Sequence, residues 1–141
     1  MEFQNLSKEQ KKIIHGWCMY DWANSGFATT IVAIIPIYFI ALFQDNFGDT
    51  VKFLGLNLSG SSMWSLAIAL SAAIIMLTGP ILGALADKTS TKKKMLVIYT
   101  ALGSIATMLM FFAPYFSNPW AWFMGCFVTA NVGFIGGTAF Y

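Results

Sequence analysis

The chain has 141 residues, of which 57% are hydrophobic and only 10% charged. A soluble globule of this size needs much more polar surface than this composition provides, so we expect the chain to be solvated by lipid. The net charge is +2 and arginine is absent, which excludes a basic nucleic-acid-binding surface. No cluster of acidic, histidine or cysteine residues suggests a metal or nucleophile site, so we expect neither a cofactor nor an enzyme activity.

Residues 1–19 are too polar for a secretory signal and are predicted to form a cytoplasmic N-terminal segment. Beyond them the charges are few: none lies between Lys52 and Asp87, and none follows Lys94. Because a membrane helix needs roughly 20 apolar residues, the pattern predicts transmembrane helices over 20–43, 63–86, 95–116 and 120–141. The connection 44–62 is predicted to be a surface loop, and 117–119 a tight turn between helices.

The distribution of lysines predicts the orientation in the membrane. Three lysines precede the first span and four lie between the second and third: Lys8, Lys11, Lys12, Lys88, Lys92, Lys93 and Lys94. Only Lys52 falls on the other side, so the N-terminus and the second loop are expected in the cytoplasm. Aromatic residues mark both interfaces in the same frame, namely Trp17, Tyr20 and Trp22 at one and Trp64, Tyr115, Trp120 and Trp122 at the other.

Proline and glycine positions predict local features of the spans. Pro36 in the first span and Pro80 in the second are expected to kink or loosen their helices. Small residues four apart favour close helix packing, as in the pairs Gly79 with Gly83 and Gly133 with Gly137. The fourth span reaches Tyr141 without a polar anchor, which predicts that the natural chain continues.

The first span carries a stripe of polar residues near its cytoplasmic end. Asn24 and Ser25 follow Asp21 at i+3 and i+4, so the three share one helix face, and Thr29 lies at the edge of that face. A carboxylate within a span is a functional candidate because its desolvation must be compensated. The stripe therefore predicts the wall of a water-accessible cavity. Alternatively, Asp21 is close enough to the interface to be simply hydrated, or to be a first-turn carboxylate favoured by the helix dipole.

A second group of residues lies in the loop between the second and third spans. Asp87 is expected at the C-terminal end of the second span, where the helix dipole disfavours a negative charge. It therefore needs a partner, either a nearby lysine or the N-terminus of another helix. If Asp87 pairs with the N-terminus of another helix, the contact would stabilise one conformation and break in another, which is a gating role.

The loop resembles the signature of the major facilitator superfamily between its second and third helices, with Gly83, then Asp87-Lys88, then Lys92-Lys93. The first span, with its run YDWANSGFATTI followed by Pro36, resembles the opening helix of the unknown-major-facilitator family, which includes the autophagy-related vacuolar amino-acid effluxers. One departure is Ser90, where the superfamily pattern usually has glycine. The resemblance extends over the whole chain.

The resemblance implies an all-α membrane protein in which residues 20–141 form the first four of about twelve helices, within the N-terminal six-helix half. It implies a substrate cavity lined by Asp21, Asn24, Ser25, Thr29, Thr129 and Asn131, and a cytoplasmic gate formed by Gly83, Asp87, Lys88, Lys92 and Lys93. The expected partners are the lipid bilayer, a small-molecule solute and the C-terminal helices of the same protein. The membrane would be the plasma membrane in a bacterium or the vacuole in a fungus.

The leading hypothesis is a secondary transporter that moves a small polar solute by alternating access, and the resemblance implies an amino acid as that solute. Two alternatives stay open at this stage. A complete four-span exporter acting as a dimer would need a carboxylate near the middle of a span, whereas Asp21 lies close to the membrane edge. A non-transporting membrane scaffold would leave the stripe at Asp21, Asn24 and Ser25 unexplained.

Overall fold

The computed structural model describes residues 7–53, 55–89 and 91–140, except for the side chains at 53, 82 and 85–89. The described part contains five α-helices, a β-hairpin and a 3₁₀ turn. In chain order they are α1 Lys8–Ala33, α2 Ile35–Phe47, β1 Thr50–Phe53, β2 Leu56–Ser59, α3 Gly60–Thr89, α4 Lys92–Met110, the 3₁₀ turn Ala113–Tyr115 and α5 Pro119–Ala139. The described residues divide into two compact units, one up to residue 35 and one from residue 36 onward.

Four helical stretches among the described residues are long and apolar enough to cross a membrane. They are Lys8–Phe47, Gly60–Ile81, Lys92–Met110 and Pro119–Ala139. Each stretch contains about 20 residues or more, which is the length that covers a hydrocarbon core of about 30 Å. Each also overlaps one of the four predicted spans.

Helix α1 begins at Lys8, twelve residues before the predicted span. Ser7 and Gln10 form a capping box. The backbone N–H of Gln10 donates to the Ser7 hydroxyl at 3.2 Å, and the backbone N–H of Ser7 donates to the side-chain oxygen of Gln10 at 2.9 Å. These bonds satisfy backbone donors that the first helical turn leaves without partners. The polar segment from Lys8 onward is therefore continuous with the helix of the first span.

The helix of the first span is interrupted next to Pro36, where the sequence predicts a kink. Helix α1 ends at Ala33, and α2 begins at Ile35. Pro36 has no amide hydrogen, so the carbonyl of Val32 loses its helical partner. Helix α3, by contrast, is assigned as helix straight through Pro80.

The connection after α2 contains a hairpin that the sequence interpretation missed. Strands β1 and β2 are antiparallel, with Thr50 opposite Ser59 and Lys52 opposite Asn57. Gly55 in the turn has φ 82°, a conformation that glycine adopts without steric cost. Each strand has four residues, too few for an alternating pattern to stand out in the sequence.

Helix α4 ends at Met110, earlier than the predicted end of the third span at 116. The pyrrolidine ring of Pro114 would clash with the carbonyl four residues earlier, which belongs to Met110. The connection to α5 therefore spans residues 111–118 and includes the 3₁₀ turn, rather than the three-residue turn 117–119 predicted. The Trp122 indole donates to the Leu109 carbonyl at 3.0 Å and satisfies one acceptor at the end of α4.

An aromatic cluster forms the core of the second unit. Phe39 and Phe43 of α2 are both fully buried. Phe39 lies 5.6 Å from Trp64 of α3 and 6.1 Å from Phe123 of α5, measured between ring centroids. Trp64 in turn lies 4.1 Å from Phe127. Ring pairs at such distances add to the stabilisation from apolar burial, so this cluster fixes α2 against α3 and α5.

Helices α4 and α5 pack through glycine. A Cβ atom added at Gly133 would lie 2.6 Å from the Cα atom of Gly103 and 2.8 Å from the carbonyl oxygen of Tyr99. At Gly136 it would overlap the Tyr99 ring. The predicted role of Gly133 in close packing is thus confirmed, with Gly136 as its neighbour in the contact.

Candidate functional site

The polar stripe of the first span lies on an uninterrupted part of α1. The helix runs from Lys8 to Ala33, so Asp21, Asn24 and Ser25 do share one face, as their spacing predicts. Asp21 and Ser25 are exposed and Asn24 is half-buried. The stripe offers a carboxylate, an amide and a hydroxyl, which together can accept and donate hydrogen bonds to a polar solute.

A shallow, open groove of about 440 Å³ lies beside this stripe on the same helix. Its lining is Trp22, Ala23, Ser25, Gly26 and Thr29. The lining includes the small residues Ala23 and Gly26, and Trp22 has 74% of its surface exposed. The sequence interpretation assigned Trp22 only to the membrane interface and did not predict the groove. The available signal was the presence of two small residues, Ala23 and Gly26, close to a large aromatic residue.

Two of the predicted cavity residues line the groove, and two lie on the neighbouring face. Ser25 and Thr29 are among the residues that line the groove. The Thr29 hydroxyl donates to the Ser25 carbonyl at 2.9 Å, which leaves its oxygen lone pairs available as acceptors. Asp21 and Asn24 are rotated away from the groove by the helical repeat of about 100° per residue.

The predicted cavity residues of the fourth span point in different directions. Thr129 and Asn131 lie two positions apart on α5, so their side chains diverge by roughly 200° around the helix. Thr129 is half-buried and its hydroxyl donates to the Gly125 carbonyl at 2.9 Å. Asn131 is buried, with 8% of its surface exposed. One cavity facing a single side of α5 can therefore include only one of the two.

The predicted gate lies where α3 ends and α4 begins. Asp87 and Lys88 belong to the last turn of α3, and their side chains lie outside the described part of the chain. Lys92 and Lys93 are exposed in the first turn of α4. A Cβ atom added at Gly83 would meet no described atom within 4 Å, so its predicted helix-packing partner is not found among the residues described.

Helix dipoles give this junction a defined charge pattern. The C-terminal end of α3 carries partial negative charge beside Asp87, and the N-terminal end of α4 carries partial positive charge beside Lys92 and Lys93. Asp87 thus belongs to the helix end whose dipole disfavours a negative charge, and Lys92 and Lys93 belong to the end whose dipole disfavours a positive charge. An arrangement of this kind gains free energy when another element brings opposite charge to either end.

Comparison with known proteins identifies the family. Residues 9–141 match the family described as "Vacuole effluxer Atg22 like". The chain belongs to this family. The run in the first span and the loop after α3 had predicted membership in this family, and the match confirms that prediction.

The chain is also similar to an uncharacterized MFS-type transporter, YxiO, of Bacillus subtilis (strain 168). The two are 28% identical over 138 residues, which cover 96% of this chain and 30% of that protein. The chain thus spans about 30% of the length of that relative. No solved structure gave a significant match. Together with the four membrane-length helices, these findings confirm the predicted fold class, an all-α membrane protein that corresponds to part of a major facilitator transporter.

Proposed function

We propose that the protein containing this chain is a secondary active transporter that moves a small polar solute by alternating access. Family membership and the similarity to an MFS-type transporter support transport as the general function. In such folds two helical halves move around a central site near the middle of the bilayer. The chain would supply part of one half, and the C-terminal helices of the same protein would supply the rest.

The polar stripe on α1 is the observation that carries this proposal. A membrane-spanning helix gains nothing by exposing Asp21, Asn24 and Ser25 to lipid, since each polar group would lose its hydration. Facing a water-filled pathway keeps these groups solvated until a solute replaces the water. We therefore assign the face with Asp21 and Asn24 to the solute pathway, with Ser25 and Thr29 at its edge.

An amino acid is the solute whose chemistry best fits this face. The Asp21 carboxylate can pair with an ammonium group, and the Asn24 amide can donate to a carboxylate. From α5, either Thr129 or Asn131 would add a further contact. The family is described by the words "vacuole effluxer", which supports export as the direction of transport.

The loop between α3 and α4 would be the cytoplasmic gate. In this proposal Asp87 and Lys88, with Lys92 and Lys93, exchange partners between the closed and open states, and Gly83 allows a neighbouring helix to approach. The lysine distribution supports a cytoplasmic N-terminus and a cytoplasmic position for this loop. The membrane would be the plasma membrane in a bacterium and the vacuolar membrane in a fungus.

Solute flux in vesicles tests the proposal. The full-length protein is reconstituted into proteoliposomes, and flux of a labelled amino-acid mixture is compared between wild type, Asp21→Ala and the control Asp45→Ala. Asp45 is an exposed acidic residue near the end of α2 and is not part of the stripe. We expect Asp21→Ala to lower flux at least tenfold and Asp45→Ala to leave it unchanged, since only Asp21 would lose an ion pair with the solute, worth about 1.5–3 kcal/mol. Wild-type flux in Asp21→Ala would remove α1 from the solute pathway.

A further inference from the structure

The first three turns of α1 extend beyond the first predicted span. Helix α1 starts at Lys8, and the predicted span starts at residue 20, so the extension is about 18 Å long at 1.5 Å per residue. The headgroup layer on one side of a bilayer is only about 5–8 Å thick. The extension therefore passes through the headgroup layer as a formed helix, which gives its side chains fixed directions at that depth.

One face of this extension is basic. Lys8, Lys11, Lys12 and His15 follow the spacing i, i+3, i+4, i+7, and all four are exposed. At about 100° per residue they occupy an arc of roughly 100°, which we term the basic stripe. Glu9 lies outside the arc, so no acidic residue of the extension interrupts it. The opposite face carries Ile13, Ile14 and Trp17.

The open groove of α1 lies directly above the basic stripe. The helical repeat places Trp22 and Gly26 within roughly 40° of the stripe's centre. Met19, half exposed, connects the two along the same side. From His15, the groove residues 22–29 are about 10–20 Å further into the bilayer, the depth of the upper acyl chains in one leaflet.

The centre of this side of α1 is distinct from the centre of the proposed solute pathway, and Ser25 and Thr29 lie between the two. The face with Asp21 and Asn24 is centred roughly 160° from the basic stripe. Thr30, which lies on the side of the groove, donates its hydroxyl to the Gly26 carbonyl at 2.9 Å and so needs no solvent partner. The Thr29 hydroxyl likewise donates to the Ser25 carbonyl, so the middle of the groove is suited to hydrocarbon, whereas Asp21 and Asn24 need water or a solute.

We propose that this side of α1 binds a phospholipid with an anionic headgroup. The basic stripe pairs with the headgroup phosphate, and the groove between Trp22 and Gly26 holds the upper part of an acyl chain. Charge complementarity selects the headgroup, since a lysine near an anionic membrane surface contributes enough to strengthen binding about fivefold. The groove adds apolar contact that a soluble anion cannot use. The inference is independent of which solute the protein moves.

Lipid titration followed by native mass spectrometry tests this proposal. The full-length protein in detergent is titrated with phosphatidylglycerol and, separately, with zwitterionic phosphatidylcholine. We expect tighter binding of phosphatidylglycerol in wild type, weakened when salt is raised from about 50 to about 500 mM because ions screen the headgroup charge. Equal affinity for the two lipids would overturn the proposal, and would be the outcome if the stripe served an acidic soluble partner instead.

A sequence permutation provides the matched variant. Lys11→Ile, Lys12→Ile, Ile13→Lys and Ile14→Lys together keep composition, net charge and the positive-inside signal, but move two lysines to the opposite face. We expect phosphatidylglycerol affinity to fall on the order of 25-fold, that is, about fivefold for each displaced lysine. Unchanged affinity would show that only the number of lysines matters and would overturn the assignment to a face. If this variant does not fold, the smaller swap Lys12→Ile with Ile13→Lys, which moves one lysine and keeps the net charge, decides the question with an expected loss of about fivefold.

Filling the groove tests its part separately. Gly26→Leu places a side chain where an added Cβ meets no atom within 4 Å, and Gly125→Leu on α5 is the control with the same open surroundings. We expect Gly26→Leu to weaken binding of both lipids at least threefold and Gly125→Leu to weaken neither. Wild-type lipid affinity in Gly26→Leu would remove the groove from the site. Loss of solute flux in Asp21→Ala is a separate readout, so lipid binding and transport can fail independently.

Discussion

The backbones of Gly103 on α4 and Gly133 on α5 approach so closely that a Cβ atom at Gly133 would lie 2.6 Å from the Gly103 Cα atom. No flexible side chain at this point could move aside, since the neighbouring atoms are backbone. Apolar packing of this kind is a principal source of helix association in a membrane, where the hydrophobic effect between helices is absent. The contact between α4 and α5 is therefore sensitive to one added methyl group.

We predict that Gly133→Ala destabilises the full-length protein by about 1–3 kcal/mol, the usual cost of forcing extra atoms into a packed contact. Gly125→Ala is the control, because a Cβ atom there meets nothing within 4 Å. Unfolding in a denaturing detergent measures both. A Gly133→Ala protein as stable as the Gly125→Ala control would show that α4 and α5 do not pack as described.

Asn24 tests the polar stripe without changing its charge. We predict that Asn24→Ala raises the KM for the solute about 2- to 10-fold, corresponding to the loss of one hydrogen bond worth about 0.5–1.5 kcal/mol. Asn46→Ala is the control, because the Asn46 amide donates to the Leu42 carbonyl at 2.7 Å at the end of α2 and belongs to no stripe. Concentration dependence of flux in proteoliposomes gives both values. An unchanged KM in Asn24→Ala, or an equal shift in the Asn46→Ala control, would contradict the assignment.

Asp87 tests the proposed gate. We predict that Asp87→Asn lowers turnover at least tenfold while membrane insertion and expression stay normal, because the neutral amide no longer forms the charged contact that stabilises one state. The same substitution at Asp45 is the control, since that acidic residue lies outside the gate loop. Flux is measured together with the amount of protein in the membrane. Unchanged kinetics in Asp87→Asn would contradict a gating role.

The large features of the fold were predictable because membrane constraints are strong and local. Long intervals without charge identify each span, and no tertiary knowledge is needed to recognise them. The break between α1 and α2 follows in the same way from Pro36, since proline removes a helical hydrogen bond wherever it lies. Pro114 could equally have predicted the end of α4 at Met110. The prediction was missed because apolar residues continue to 116.

Other features depended on signals that are weak or not local. The capping box of Ser7 and Gln10 marks the start of α1, but the charged residues after it suggested a segment outside the helix. The closeness of Gly133 to Gly103 could not be foreseen, because no spacing within one helix reveals the residue opposite in another. For the site, spacing placed Asp21 and its neighbours on one face correctly, whereas the groove became visible only with the side chains in place.

Solute exchange by the full-length protein tests the central claim, transport of a solute by alternating access, most directly. Proteoliposomes loaded with an unlabelled amino-acid mixture are placed in labelled mixture, and accumulation is compared with vesicles that contain protein carrying Asp21→Ala and with empty vesicles. We predict transient accumulation of label above equilibrium in wild type only, because alternating access couples the outward movement of one solute to the inward movement of another. Wild-type accumulation no greater than in empty vesicles, with protein correctly inserted, would contradict the account of an amino-acid transporter.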